Sequence, residues 1–296
     1  MKRLSLLAVL LVLLSLCSGC TAPAPHAQVA ATTLPVYEFS LRLCEGTDIS
    51  VTRLVTESVS CLHDYSLNVN QVRSAEAADV IVMSGAGLEA FLEDVLENKP
   101  RIDASTGIEL ICGSEEGHHH DHEHEHEGHS HGEDPHIWLS PANARAMAEN
   151  ICEGLSQLYP QHSRIFETNL DQLLQELDAL QSYGEAQLAQ LSCREIITFH
   201  DGFAYFADAF GLTILAAVEE EPGAETSARE LKELITLVRK HSIRAVFTET
   251  NGTDSSARII AAETGAKLRT LDMAMSGESY FDCMYRNIDT IKEALE

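Results

Sequence analysis

From residue 29 onward, short apolar runs rich in β-branched residues alternate with longer stretches whose apolar positions recur every three or four residues. Val29 to Leu34 reads as a strand, and Val36 to Cys44 as a helix opened by Pro35. Ile49 to Val55 alternates as a second strand, Ser58 to Leu67 is loop-like, and Asp79 to Met83 is a short buried strand. An amphipathic helix over Leu88 to Glu97 and a last strand over Ile108 to Cys112 complete the first half. Ser140 and Pro141 then fit the N-cap and first position of a helix that stops at Pro160. A longer helix follows over roughly Gln161 to Leu191, with a stripe formed by Phe166, Leu170, Leu173, Leu177 and Leu180.

The second half resumes the alternation. Strands are predicted at Glu195–Phe199, Leu212–Val218, Ala245–Thr248 and Lys267–Leu271. Helices are predicted over Asp201–Phe210, from the capping box at Ser227 to His241, over Ser255–Thr264 and over Tyr280–Leu295. The class is α/β: an N-terminal lobe over 29–160, a long linking helix over 161–193 and a C-terminal lobe over 194–296. No sequence repeat relates the lobes.

Residues 1–20 have the form of an export signal, with Lys2 and Arg3 ahead of the apolar run Leu4 to Leu16. Cys17-Ser18-Gly19-Cys20 resembles a bacterial lipobox, which makes Cys20 the expected lipid-modified residue and 21–28 a flexible tether. An ordinary cleaved secretory signal is the alternative. Export permits disulfides among Cys44, Cys61, Cys112, Cys152, Cys193 and Cys283, whose pairing the sequence leaves open.

Charge and composition change the picture in two ways. The formal net charge of -26 argues against nucleic-acid binding or a basic membrane-binding patch. Eight of the 14 histidines crowd into one acid-rich tract: His118, His119, His120, His122, His124, His126, His129 and His131. Imidazoles interleaved with carboxylates make a low-selectivity metal collector, expected as a disordered loop over 115–134.

Selective chemistry needs ordered ligands. Beyond the carboxyl ends of the second-half strands, where α/β lobes bind ligands, stand His200 and Asp272. His63 lies in a loop of the first half and His136 just ahead of the Pro141 helix. These four groups could converge on a cleft between the lobes. His162 and His241, in helical stretches, read as ordinary surface or hydrogen-bonded residues.

Four motifs, HDYSL at 63–67, ADVIVMSGAGLE at 78–89, DPHIWLSP at 134–141 and FHDGFAYFADAFGL at 199–212, together resemble the metal-binding group of bacterial ABC-transporter solute-binding proteins. The zinc-specific members are the most similar, and the histidine-rich loop is typical of them. The resemblance implies two α/β lobes around a central metal cleft, joined by one long rigid helix. It implies His63, His136, His200 and a carboxylate at Asp272 as ligands, with water or Glu249 as substitutes for the last, and Asp201 or Glu249 as supporting groups. Cys61-Leu62 before His63 and Met273 after Asp272 depart from the usual pattern.

Three imidazoles and a carboxylate suit four-coordinate Zn2+ and disfavour Mn2+, which takes more oxygen ligands. The function this implies is capture of Zn2+ outside the cytoplasmic membrane by a lipid-anchored monomer. Delivery would be to an ABC permease with its ATPase subunit, with no enzymatic step. Two alternatives remain from the residues themselves. His122-Glu123-His124-Glu125-His126 satisfies the HExxH pattern of an exported zinc hydrolase, although the tract offers no buried helical face. A surface zinc buffer or adhesin would need only the collector.

Overall fold

The computed structural model describes residues 29–59, 62, 65–93, 99–111, 133–219, 226–252 and 254–296. The first lobe contains β1 (Val29–Ala31), α1 (Leu34–Leu43), β2 (Val51–Arg53), α2 (Val69–Ala77), β3 (Val80–Met83) and β4 (Arg101–Asp103). Its strands pair in parallel in the order β2-β1-β3-β4. After α3 (Pro141–Leu158) and α4 (Ser163–Leu188), the second lobe adds β5 (Glu195–His200), α5 (Ala204–Phe210), β6 (Thr213–Glu219) and α6 (Ala228–His241). It is completed by β7 (Ala245–Glu249), α7 (Ser255–Thr264), β8 (Lys267–Leu271) and α8 (Tyr280–Leu295). The sheet order β6-β5-β7-β8 repeats that of the first lobe although the sequence carries no repeat. Each sheet therefore has a topological switch point, between β1 and β3 and between β5 and β7, where the connections leave a crevice.

The second half forms nearly as its pattern predicts, because its central strands β5 and β7 are buried and helices α6 and α8 open on side-chain caps. Ser140 Oγ accepts from Asn143 N, and Ser227 with Glu230 closes a reciprocal capping box. The first half departs in three places. Ile108 to Ile111 is not a strand; the edge position is taken by Arg101–Asp103, in which only Ile102 points inward. Of the expected helix over Leu88 to Glu97, the described residues show a 3-10 turn at Ala90–Leu92 leading into helical Glu93, and 94–97 lie outside the described residues. A helix missing from the sequence reading, α2, buries only Gln71 and Ala75 and so has no apolar stripe to betray it. Polar contacts hold it instead: Asn68 caps its start and Gln71 Nε2 donates to the Leu54 carbonyl at 2.9 Å.

The linking helix α4 runs 26 residues, about 39 Å at 1.5 Å per residue. A 3-10 turn at Pro160–His162 separates it from α3. Leu173, Leu177 and Leu180 of its stripe join an apolar core that includes Val29, Ala31 and Phe39 of the first lobe and Phe247, Leu271 and Met275 of the second. Polar clasps reinforce this junction. Trp138 Nε1 donates to the Met273 carbonyl at 2.7 Å, and Tyr280 Oη donates to the Trp138 carbonyl at 2.8 Å. The Glu38 carboxylate in α1 accepts from Tyr280 N at 2.6 Å, a negative group on the positive N-terminal end of α8. The lobes share one core and a set of fixed polar contacts.

Candidate metal centre

The second lobe's switch point presents His200 as the last residue of β5 and Glu249 as the last of β7. The register that pairs Thr198 with Phe247 brings the two to the same level. Both are buried, at 3% and 5% exposure, which is unusual for polar side chains without a purpose in the interior. His136 comes from the opposite direction, as the residue before the 3-10 turn Ile137–Leu139, and is 1% exposed. The rings of His136 and His200 meet edge to face, with centroids 5.2 Å apart and planes at 85°. A tetrahedral zinc about 2.0–2.1 Å from one nitrogen of each of two imidazoles places their centroids roughly 5 Å apart, so the spacing suits a shared ion.

Asp134 sets the tautomer of His136. Its Oδ1 lies 2.7 Å from His136 Nδ1 and accepts from His136 N at 2.9 Å. A carboxylate can only accept, so Nδ1 carries the proton and Nε2 keeps the lone pair for a metal. Against the His136 ring the structure puts Asp134, a supporting group beyond the expected Asp201 or Glu249. Asp134 also ends the expected loop of 115–134 early, since it is buried and bonded. Its signal in the sequence was the Asp-Pro-His spacing, which lets an Asp carboxylate reach the backbone N–H and the side chain two residues on. The acid-rich composition before it concealed that signal.

Gly202, in the turn after His200, lies close against both rings. A Cβ there would lie 2.8 Å from His200 Cδ2, 2.9 Å from His136 Nδ1 and 2.7 Å from Met273 Cε. Only glycine leaves the two rings room.

Asp272, one residue past β8, shares a small cavity with Glu249, Val59, Thr250 and Asn251. Its Oδ1 accepts from Ala274 N at 2.8 Å, and its Oδ2 faces Arg286 at 3.6 Å. The structure thus brings Asp272 and Glu249 to one cavity, and His136 and His200 to each other. Val59 leads into the segment of His63, and His63 itself lies outside the described residues. So do the histidines from His118 to His131, Cys20, Cys61 and Cys112. Among the described residues no group of three or more His, Cys, Asp or Glu side chains converges as a metal set.

The described cysteines take no part. Cys44, Cys152, Cys193 and Cys283 are free thiols. Burial pushes the Cys44 thiol up to about 12, and burial with the nearby Asp272 carboxylate does the same to Cys283. Neither thiol is disposed to become the thiolate that binds metal.

Comparison with known proteins bears on the fold and the family. The family model for ZnuA, zinc-uptake complex component A, periplasmic, matches residues 29–294. A putative metal-binding protein of Treponema pallidum is 30% identical over 308 residues, covering 99% of this chain and 97% of its own. The high-affinity zinc uptake system protein ZnuA of Bacillus subtilis is 30% identical over 280 residues, covering 90% of this chain and 87% of its own. The zinc-binding lipoprotein AdcA of Streptococcus pneumoniae is 30% identical over all of this chain, which spans 62% of that longer protein. The crystal structure of the Zn(II)-bound ZnuA-like domain of the same AdcA superposes with a TM-score of 0.75, at 27% identity over 92% of this chain and 99% of the domain. With two parallel-sheet lobes and a family match over residues 29–294, this chain belongs to the ZnuA family.

Proposed function

We propose that this protein is a zinc receptor that captures Zn2+ outside the cytoplasmic membrane and passes it to an ABC-type importer. The observation that carries the reading is the buried His136–His200 pair, 5.2 Å between centroids, with the far nitrogen of His136 fixed by Asp134. His63 and the carboxylate of Asp272 complete the set in this reading, with Glu249, in the same cavity, as the substitute carboxylate. Three neutral imidazoles and one carboxylate favour Zn2+ over Mn2+.

Capture and release follow from the chemistry of the ligands. Each imidazole must be neutral to bind, so zinc and protons compete for the same nitrogens. Asp134 removes that ambiguity at His136 by holding the Nδ1 proton in place. The eight histidines of 118–131 would form a weaker reservoir, each interchangeable with its neighbours. No helix among the described residues is long and apolar enough to cross a membrane. In the proposed arrangement, a lipid on Cys20 holds the receptor at the membrane beside its permease and ATPase partners. The family match favours this over the hydrolase reading of 122–126.

Zinc titration against a competing chelator tests the proposal. One tight site should disappear in His63→Ala, His136→Ala or His200→Ala, and weaker sites should disappear when 118–131 is deleted. If the deletion removed all binding while the triple histidine variant bound normally, the cleft would not be the receptor site.

A further inference from the structure

We infer that Tyr205, in the second lobe, is a positioning residue for the metal site: its phenol fixes the backbone of Asp134 and through it the imidazole of His136. The inference rests on the reading of His136 as a ligand. Tyr205 is 3% exposed and is the second residue of α5, five residues after His200. Its Oη accepts from Ile111 N at 2.9 Å and donates to the Asp134 carbonyl at 2.9 Å. Asp134 N in turn donates to the Ile111 carbonyl at 2.9 Å. Three hydrogen bonds therefore close a triangle of Ile111, Asp134 and Tyr205.

The triangle has two consequences. It joins the chain just before and just after residues 112–132, so the ends of the histidine-rich segment are fastened to each other and to the second lobe. It also sets where the Asp134 carboxylate stands, two residues before the ring it holds by Nδ1 at 2.7 Å. The connection from β5 to α5 thus supplies one imidazole, His200, and the hydroxyl that positions the other. A phenylalanine at 205 keeps the ring but removes the one group able to accept from Ile111 and donate to Asp134 at once.

The test measures zinc affinity by chelator competition on the full chain, with melting of the metal-free protein alongside. Its variants are Tyr205→Phe, Asp134→Asn, the two combined, and His136→Ala. Gly154→Ala serves as a control for destabilisation away from the site, since its Cβ would press on Ile102 in the first lobe. Loss of a group that orients a metal ligand typically costs about 10–100-fold in affinity, which is the expectation for Asp134→Asn. Tyr205→Phe, one step further out, should weaken binding by about 3–10-fold, and the double variant should match Asp134→Asn within about two-fold, because both act through one ring. Long-range 15N–1H spectra of the metal-free protein should show the Nδ1–H tautomer of His136 in the wild type and a mixture in Tyr205→Phe. Gly154→Ala should melt earlier yet bind as the wild type does. Wild-type affinity in Tyr205→Phe, or a double variant weakened by the product of the single effects, would overturn the inference. Wild-type affinity in His136→Ala would instead overturn the reading of the site itself.

Discussion

Gly202→Ala is the most direct test of whether the histidine pair is built to a fixed spacing. The added Cβ would stand 2.8 Å from His200 Cδ2 and 2.9 Å from His136 Nδ1. Ordinary contact between such atoms needs about 3.5 Å or more, so each ring must retreat by roughly 0.6–0.7 Å, or the backbone must move by as much. Met273, whose terminal methyl is the third neighbour, can swing aside; the rings have less freedom. His136 is tied to Asp134 twice, and Trp138 beside it is tied to Met273 and Tyr280. Overpacking of this kind costs about 1–3 kcal/mol in stability.

The effect on binding should be larger than the effect on folding. Metal–ligand distances tolerate only about 0.2 Å, well below the displacement the methyl group demands. We therefore expect zinc affinity to fall at least about ten-fold, the equivalent of roughly 1.4 kcal/mol. The assay is competition with a fluorescent zinc chelator at neutral pH, with thermal melting of the metal-free protein beside it. Gly154→Ala is the matched control: its Cβ would lie 2.7–2.9 Å from three carbons of Ile102, so it should lower stability and leave affinity alone. If Gly202→Ala binds zinc within two-fold of the wild type, the two imidazoles are not held to a spacing that matters.

Three further outcomes follow from particular contacts. Trp138→Phe removes the indole donor to the Met273 carbonyl, leaves a buried acceptor unpaired and should lower the unfolding free energy by about 1–3 kcal/mol, read from the guanidinium midpoint. Burial pushes the Glu89 carboxyl up to about 7, against the pull of donors from Thr32, Ser84 and Gly85. The folded state thus keeps that proton to higher pH than the unfolded chain, so Glu89 costs stability as pH rises from about 4.5 to about 7, on the order of 3 kcal/mol across the window. Glu89→Gln should flatten the stability profile there, and parallel profiles would refute the assignment. Zinc affinity should decline as pH drops through about 6.5, where imidazoles take up protons; a flat affinity from mildly acidic to neutral pH would count against histidine ligation.

How far the sequence could be read depended on what holds each element. The second lobe was legible nearly throughout: its central strands β5 and β7 are apolar runs, and Ser227 and Glu230 announce the start of α6. The first lobe was less so, because several of its elements rest on polar contacts or on pairing. Asn68 and Gln71 sustain α2 without an apolar stripe, and β4 is an edge strand whose Arg101 and Asp103 face water. Ile108 to Ile111 carries more apolar character than β4, yet Ile111 meets Tyr205 and Asp134 rather than a sheet. At the site, His136 and His200 were found from their motifs, and the structure brings them together. The groups that set their geometry, Asp134, Gly202 and Tyr205, were not found, since one sits beside an acid-rich run, one has no side chain and one looks like core.

The shared core between the lobes bears on how such a site can discriminate. A receptor whose lobes swing apart could adapt its ligand spacing to ions of different coordination number. Here α1 packs on α8 through Phe39 and Tyr280, and Glu38 caps α8 from across the interface. Opening the lobes as rigid bodies would expose Phe39, Tyr280 and Trp138, all fully buried, and break the Trp138 and Tyr280 bonds together. Burial of one large side chain alone is worth about 1.5–3 kcal/mol, so a wide hinge motion would cost several times that. Any adjustment must then be local, and the contacts of Asp134, His136 and Trp138 place it outside the stretch from Asp134 to Trp138. In the proposed site, the His136–His200 pair held at this spacing favours a small, four-coordinate ion.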